Sequence, residues 1–265
     1  MEKKEKKAKI GHVITFINEK GGVGKTSLCF NAAWEMSKGR DRILLVDMDG
    51  QKSNLTYFCG VELAPKQDTV YEVLQGYSDI ESATVNIKKN MDIVPADSRT
   101  SYISPEFKAS VLRKNLAKAR EEYDYIFLDV SPSPNASHSL SLSCSDSIVI
   151  PMLPDITSIN AYSGIIESVT EIWEERMNVD LKVLGLVFMK YNSKTNLSKI
   201  VREAAEEMAK KMDSRLFKTT IRQAVSMSEN VSQHVGITDY DPSAKVSAEI
   251  KDFVQELKKE VKRRG

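Results

Sequence analysis

The chain has 265 residues and a formal net charge of +1, with 41% hydrophobic and 28% charged residues. This length and composition are typical of a globular protein with one α/β domain, or two small domains, around a large buried core. The balanced charge excludes a global attraction to nucleic acid or membrane, so such binding would need a local patch.

Cysteine usage and the N-terminal residues indicate the compartment. Cys29, Cys59 and Cys144 are far apart and form no C-x-x-C pair, which disfavours a disulfide framework or a metal site. No apolar run is long enough to cross a membrane, and the lysine-rich residues 1–9 lack the apolar region of a signal peptide. We therefore expect a cytoplasmic protein with a flexible tail over residues 1–9 and one folded domain over residues 10–265.

A glycine-rich stretch follows the apolar run at residues 13–17 and precedes a helical pattern. A strand that leads through such a loop into a helix presents free backbone N–H groups at the positive end of the helix dipole, where polyphosphate binds. Glycines let phosphate oxygens approach the backbone closely. In this P-loop pattern Lys25 reaches the β- and γ-phosphates of ATP and the Thr26 hydroxyl binds Mg²⁺. The predicted nucleotide-binding residues are Gly21, Gly22, Val23, Gly24, Lys25, Thr26 and Ser27.

The first glycine of the usual P-loop pattern is absent, and a lysine, Lys20, stands in the loop. The sequence Lys-Gly-Gly-Val-Gly-Lys-Thr at residues 20–26 resembles the deviant Walker A motif of the ParA/MinD family of ATPases. The resemblance implies an ATP-sandwich homodimer in which Lys20 reaches the nucleotide held by the other subunit. A second cation on the transferring phosphoryl group stabilises its charge as an arginine finger does, by roughly 10³ to 10⁵ in rate. The alternative for Lys20 is a solvated loop charge.

Two further apolar runs end in acids. The run at residues 42–49 ends in Asp47 and Asp49, and the run at residues 123–129 ends in Asp129. Parallel strands buried on both faces read as continuous apolar runs and deliver such groups to the ligand crevice. The second run is a Walker B pattern, in which Asp129 holds Mg²⁺ through a water. A helix-capping role for Asp129 is the alternative, and the two roles can coexist.

The first acidic run also resembles the switch I motif of the family. That resemblance implies that Asp49 activates or orients the attacking water beside Mg²⁺ and that Asp47 stands behind it. Here Gly50 replaces the usual proline, and Lys52-Ser53 lengthen the segment. Ser131-Pro132-Ser133 resembles switch II with serine for the first proline, and Ser228-Glu229-Asn230-Val231-Ser232 resembles a further family motif.

The remaining periodic segments complete an α/β pattern, which predicts a doubly wound, mostly parallel sheet in a single domain. Met189 and Lys190, at the end of one predicted strand, are implied by the resemblance as adenine-pocket residues. The predicted strands beyond those above are residues 91–96, 146–151, 181–189 and 216–221. The predicted helices are short ones between residues 55 and 76, then residues 105–122, 158–177 and 195–211, and a final helix after Ser243.

The resemblance also implies partners: non-specific DNA bound by the ATP dimer on the nucleoid, and a ParB-type protein that stimulates hydrolysis. Basic residues gather late in the chain, but acids among them leave a mixed solvated surface as the alternative. Arg222 is the basic residue near the expected DNA segment, where Gln223 and Ser226 stand at positions that are often arginine in relatives. The basic residues are Lys190, Lys194, Lys199, Arg202, Lys210, Lys211, Arg215, Lys218 and Arg222.

The competing interpretation is a MinD-like ATPase that cycles on membranes. Its sign would be an amphipathic helix beyond the fold, and residues 250–261 do carry an apolar stripe next to basic residues. We interpret that stripe as the last helix packing on the sheet, so membrane binding is disfavoured. A metal-cluster carrier of related fold is disfavoured by the missing C-x-x-C. The sequence therefore favours a Mg²⁺-dependent ATPase that segregates plasmid or chromosomal DNA.

Overall fold

The computed structural model describes residues 10–51, 54–104, 107–133 and 135–264. The expected tail at residues 1–9 and the expected lengthening of switch I at Lys52-Ser53 lie outside these ranges.

The described residues form a seven-stranded sheet in the order β3-β4-β2-β5-β1-β6-β7. All neighbouring strands are parallel except β3 and β4, which are antiparallel. This confirms the predicted doubly wound, mostly parallel α/β fold. The strands are β1 (His12–Phe16), β2 (Ile43–Met48), β3 (Val85–Lys88), β4 (Met91–Val94), β5 (Tyr125–Val130), β6 (Ser147–Met152) and β7 (Lys182–Phe188).

Helices cover both faces of the sheet. α1 packs against α11 on one face, whereas α5, α6, α7 and α8 follow one another on the other face. The described helices are α1 (Lys25–Ser37), α2 (Asn54–Phe58), α3 (Val70–Gln75), α4 (Ile80–Ala83), α5 (Ala109–Glu122), α6 (Ala136–Cys144), α7 (Ile156–Glu174), α8 (Asn196–Lys211), α9 (Ser226–Ser232), α10 (Ile237–Tyr240) and α11 (Lys245–Arg264). A 3₁₀ turn spans Ser98–Tyr102.

The strand order brings the predicted site together. β1 lies between β5 and β6, so the chain leaves the sheet on opposite sides around β1, and the carboxyl ends open into a crevice. β2 and β5 are buried along their whole length, as their apolar runs predict. In the ladder, Asp129 pairs with Phe16 at the end of β1 and with Asp47 on β2. The P-loop and both acidic strand ends therefore meet at one edge.

The last helix packs on the fold along its apolar stripe. Phe253 and Leu257 are fully buried, and the ring of Phe253 lies 5.3 Å from that of Phe217. The interpretation of this stripe as a packed final helix is confirmed. None of the described helices combines the length and the apolar character needed to cross a membrane.

The predicted strand at residues 216–221 is wrong. The described chain makes two isolated bridges there, Leu216 with Leu186 and Ile221 with Met189. The backbone N–H groups of Lys218 and Thr219 donate instead to the Glu256 carboxylate of α11, at 2.8 and 3.0 Å. Side-chain acceptors thus satisfy amides that a strand ladder would otherwise use.

Candidate active site

The P-loop has the backbone geometry that its glycines predict. Gly22 and Gly24 adopt φ values of 74° and 95°, in the left-handed region where a Cβ is disfavoured. Gly24 directly precedes α1. Gly21 has open space around it, with no heavy atom within 4 Å of an added Cβ. The loop is therefore exposed toward a cavity while the helix that follows it is buried.

Asn18 anchors the start of this loop to the sheet. Its side-chain amide donates to the Pro151 carbonyl at the end of β6, at 2.7 Å, and its carbonyl oxygen accepts from the Lys20 backbone N–H, also at 2.7 Å. Asn18 is fully buried. These two hydrogen bonds fix the direction in which the chain leaves β1 toward Lys20 and the glycines.

Lys25 and Asp129 form a buried ion pair under the loop. The Lys25 ammonium lies 3.2 Å from Asp129 Oδ1, and the two side chains are 6% and 0% exposed. Burial raises the pKa of Asp129, while the Lys25 ammonium and the Thr26 hydroxyl oppose that shift. Asp129 Oδ2 is buried and has no hydrogen-bond partner among the described residues.

Asp47 and Asp49 occupy different places after β2. Asp47 is fully buried, and its Oδ2 accepts from the backbone N–H and the hydroxyl of Thr56 at 2.9 and 2.7 Å. Burial and the nearby Asp129 raise the pKa of Asp47 to about 7. Asp49 lines the cavity, with its N–H on Asp47 Oδ1 at 3.0 Å and its Oδ1 accepting from Gln51 N–H at 3.1 Å. Asp49 is thus the acid of the pair that lines the cavity.

Lys20 lies at the cavity rim, turned toward α7. Its ammonium donates to Asp155 Oδ2 at 2.7 Å and to the Thr157 hydroxyl at 2.6 Å. Burial opposes ionisation of Asp155, but the bonds from Lys20 and from the Ser158 backbone outweigh it and lower the pKa of Asp155 to about 2. Within a single chain, Lys20 is therefore paired at the start of α7.

The end of β7 forms one wall of the cavity. Met189 is 3% exposed, and an added Cβ at Gly24 would lie 3.1 Å from its terminal methyl group. Lys190 has a left-handed φ of 53°, and its ammonium donates to the Gly22 carbonyl at 2.9 Å. Both predicted adenine-pocket residues thus line the same cavity as the P-loop.

The cavity has a volume of about 530 Å³ and a wall that sequence reasoning did not assign to it. This wall is the segment that leads into α9. A resemblance at residues 228–232 was the available signal, but the sequence alone does not reveal that the preceding residues fold back over the P-loop. The lining residues from this segment are Ile221, Arg222, Gln223, Ala224, Val225, Met227 and Ser228.

Comparisons with known proteins agree with this geometry. A family model described as an AAA domain matches residues 11–183. The sporulation initiation inhibitor protein Soj of Bacillus subtilis is 30% identical over 254 residues, which cover 94% of this chain and 98% of that protein. The chain belongs to the ParA/MinD family of P-loop ATPases. The chromosome partitioning protein ParA of Myxococcus xanthus is 28% identical, over 90% of this chain and 84% of that protein.

Solved structures show the same fold as this ParA/MinD family member. The ATP complex of a McdA variant from Cyanothece superposes with a TM-score of 0.83 at 19% identity, over 95% of this chain and 96% of that one. At this identity the likeness supports the fold alone.

The residues that resemble switch II, Ser131-Pro132-Ser133, are held by side-chain hydrogen bonds. The buried His138 ring donates from Nε2 to the Ser131 carbonyl at 2.7 Å, and burial lowers the pKa of His138. The Ser131 hydroxyl donates to the Ser133 carbonyl at 3.0 Å and accepts from the Asn135 amide at 3.2 Å. These bonds restrain the segment at the position where the family motif has its first proline.

Proposed function

We propose that the chain is a cytoplasmic, Mg²⁺-dependent ATPase that forms an ATP-sandwich homodimer and binds DNA without sequence preference. In this proposal it drives plasmid or chromosome segregation on the nucleoid with a ParB-type partner that stimulates hydrolysis. The observation that carries the proposal is that Lys20, Lys25 and Asp49 line one cavity at the P-loop, with Asp129 buried and paired with Lys25. Membership of the ParA/MinD family supports the same assignment.

The residues present fit Mg²⁺. Asp129 Oδ2 is buried without a hydrogen-bond partner among the described residues. Thr26 and Asp49 line the cavity, and both are close enough to Asp129 to act on its pKa. Mg²⁺ takes few protein ligands and is completed by phosphate oxygens and waters, so a cage of three or more carboxylates is unnecessary. Thr26, Asp49 and Asp129 would hold the ion, which neutralises phosphate charge when bound.

Different residues of the chain would have different roles in ATP hydrolysis. The backbone N–H groups of residues 21–27 bind the phosphates, and Lys25 neutralises the β- and γ-phosphate oxygens. Asp49 orients the attacking water, since it faces the cavity while Asp47 is tied to Thr56. Lys20 of the second subunit would add a cation at the transferring group, where charge develops. Met189 and Lys190 belong to the wall that would contact the nucleotide beyond its phosphates.

Lys20 supports a dimerisation switch because it already has a partner in the single chain. To reach a nucleotide in another subunit it must leave Asp155 and Thr157. The three phosphates of ATP carry more negative charge than the two of ADP, so ATP competes better than ADP with the Asp155 carboxylate for this lysine. The ATP dependence of dimerisation follows from that difference.

DNA binding would depend on basic residues that are free to meet phosphates. Several basic residues of the late segment are paired within the chain: Arg202 with Glu206 at 3.1 Å, Arg215 with Glu260 at 2.6 Å, and Lys210 with Glu207 at 2.7 Å. Arg222 is bound to Glu249 at 2.6 Å. DNA contact by the dimer would therefore be driven by a small number of charges and be sensitive to salt.

The membrane-cycling alternative has no support from the described part of the chain. Its amphipathic stripe is the buried face of α11, with Ile250, Phe253 and Leu257 in the core.

The experiment that tests the proposal is DNA binding measured with ATP, with ADP and without nucleotide, at several salt concentrations. Retention on DNA with ATP alone, weakening with salt by about one log unit per log unit of salt for each phosphate contact, supports segregation. ATP-dependent flotation with anionic vesicles and no DNA binding would instead favour the membrane-cycling function. Binding to neither would overturn both.

A further inference from the structure

Gly50, the residue after Asp49, is buried against the 3₁₀ turn Ser98–Tyr102. A Cβ at Gly50 would collide with the Ser101 backbone nitrogen and would lie 2.6 Å from the Thr100 carbonyl carbon. Backbone atoms cannot rotate out of the way as the end of a long side chain can. The switch I loop and the turn therefore touch only because residue 50 has no side chain, whereas the family motif has proline there.

The turn is fixed on its far side to α3. Arg99 forms ion pairs with Glu72 at 2.6 Å and with Asp97 at 2.5 Å, and its guanidinium lies 4.9 Å from the centre of the Tyr71 ring. Glu72 also closes the capping box of α3 with Thr69. The turn thus contacts α3 on one side through Arg99 and the backbone at Gly50 on the other.

Asp49 is held through the same stretch of backbone. Its N–H donates to Asp47, whose other oxygen is bound by Thr56, and its Oδ1 accepts from the N–H of Gln51. Gly50 lies between the two amides that orient Asp49. A displacement of Gly50 must therefore change the direction of the Asp49 carboxylate.

We infer that the turn Ser98–Tyr102 is a positioning element for Asp49 and acts through its contact with Gly50. The inference rests on the proposed function, because it assigns to the turn the control of the residue that orients the attacking water. It predicts that disturbing the contact slows hydrolysis without weakening ATP binding, since the P-loop lies on a different strand connection. Movement of the turn would then change the rate of hydrolysis and with it how long the protein stays bound to ATP.

The test compares Gly50→Ala with the matched control Gly39→Ala, in which the added Cβ meets only ordinary contact, 3.5 Å from the Met36 carbonyl oxygen. We expect Gly50→Ala to lower kcat roughly 10- to 100-fold, as a small misplacement of a catalytic group does. Its ATP dissociation constant should stay within about twofold of the wild type, since the P-loop contacts are kept. Hydrogen exchange of the residue 97–103 amides, measured without nucleotide, should accelerate in Gly50→Ala and not in the control.

A second variant, Arg99→Ala, loosens the turn and gives it room to move away from an added Cβ. If the two sites act through one contact, the double variant loses less activity than the product of the two single losses. Multiplicative losses, or a Gly50→Ala protein with wild-type kcat and exchange, would overturn the inference. If Gly50→Ala does not fold, Arg99→Ala alone decides: lowered kcat with unchanged ATP affinity supports the inference, and unchanged kcat contradicts it.

Failure of the proposed function gives a different result. In that case the wild-type protein binds or hydrolyses no ATP, and exchange in the 97–103 segment still reports whether Gly50 holds the turn. Unchanged exchange in Gly50→Ala would then overturn the contact itself.

Discussion

Lys25 and Asp129 depend on each other before any nucleotide is present. The two side chains are almost completely buried, with the Lys25 ammonium 3.2 Å from Asp129 Oδ1. Removing one charge of a buried pair leaves the other charge buried without a partner, which strongly destabilises a protein. This loss is larger than the stability that the intact pair adds relative to two apolar side chains of similar size. Lys25, which we propose to bind the phosphates, therefore also has a structural effect, and experiments on it must measure folding and binding separately.

We predict that Lys25→Ala lowers ATP affinity roughly 30-fold or more, because a buried charged partner of the phosphates is lost. Isothermal titration with ATP measures this loss, and the thermal midpoint of the free protein measures the cost of unpairing Asp129. Asp49→Ala is the matched comparison, since it should keep ATP binding and the dimer while losing turnover. Tight ATP binding by Lys25→Ala would contradict the P-loop assignment.

At the scale of elements, α11 fastens the irregular segment at residues 215–222 to the sheet. Glu260 is 1% exposed and bonds the guanidinium groups of Arg215, Arg263 and Arg264. Burial opposes ionisation of Glu260, but these bonds outweigh it and lower the pKa of Glu260 to about 2. The helix thus carries an ionised carboxylate that is almost fully buried and is hydrogen-bonded by three arginine side chains.

We predict that Glu260→Gln destabilises the protein at pH 7 by roughly 1 to 3 kcal/mol, as loss of charged hydrogen bonds does. The folded-state pKa lies below the unfolded one, so the stabilisation is complete above about pH 4.5 and is lost as the pH falls toward 2. Urea unfolding at several pH values should show the difference in free energy of unfolding between wild type and variant shrinking as the pH falls from about 4.5 toward 2.

Glu207→Gln is the matched control for this prediction. Glu207 pairs with Lys210 on the solvent face of α8, where both side chains are 69% exposed, so no measurable change is expected. A gap for Glu260→Gln that stays constant from pH 7 to pH 2 would show that the carboxylate charge does not stabilise α11.

At the scale of the whole molecule, the ion pair of Lys20 with Asp155 is present in the single chain and must break in the proposed dimer. In the single chain it ties the P-loop to the start of α7, whereas the proposed dimer needs Lys20 at the nucleotide of the other subunit. The pair is partly exposed, with side chains 28% and 34% accessible, so breaking it costs little. ATP binding can thus shift the population without unfolding any element.

We predict that Lys20→Ala abolishes ATP-dependent dimerisation while ATP still binds the monomer. Light scattering after size exclusion, with ATP and Mg²⁺, measures the mass. Asp155→Asn is the control, because it weakens the same ion pair but leaves Lys20 free and keeps an oxygen for the Ser158 N–H bond. The control should dimerise at least as well as the wild type. Equal loss in both variants would mean that Lys20 serves only to hold α7.

The sequence by itself determined the elements whose signal is local. The apolar runs at β2 and β5 and the stripe of α11 each bury a surface that any fold of this chain would have to cover, so periodicity and composition reveal them. The glycines of the P-loop are revealed by a different local signal, the left-handed backbone that Gly22 and Gly24 adopt. Asp129 is visible because it stands at the end of the apolar run of β5, and Lys25 because it follows the glycine-rich loop at the start of α1.

Only the tertiary structure decided where distant segments meet. Residues 216–221 have the composition of a strand, but the Glu256 carboxylate of α11 accepts from the amides of Lys218 and Thr219 in their middle. The pairing of Lys20 with Asp155 and the contact of Gly50 with the Ser98–Tyr102 turn join residues that lie far apart in the chain. Such contacts depend on the spatial fit of elements after they pack, and a one-dimensional pattern carries no information about that fit.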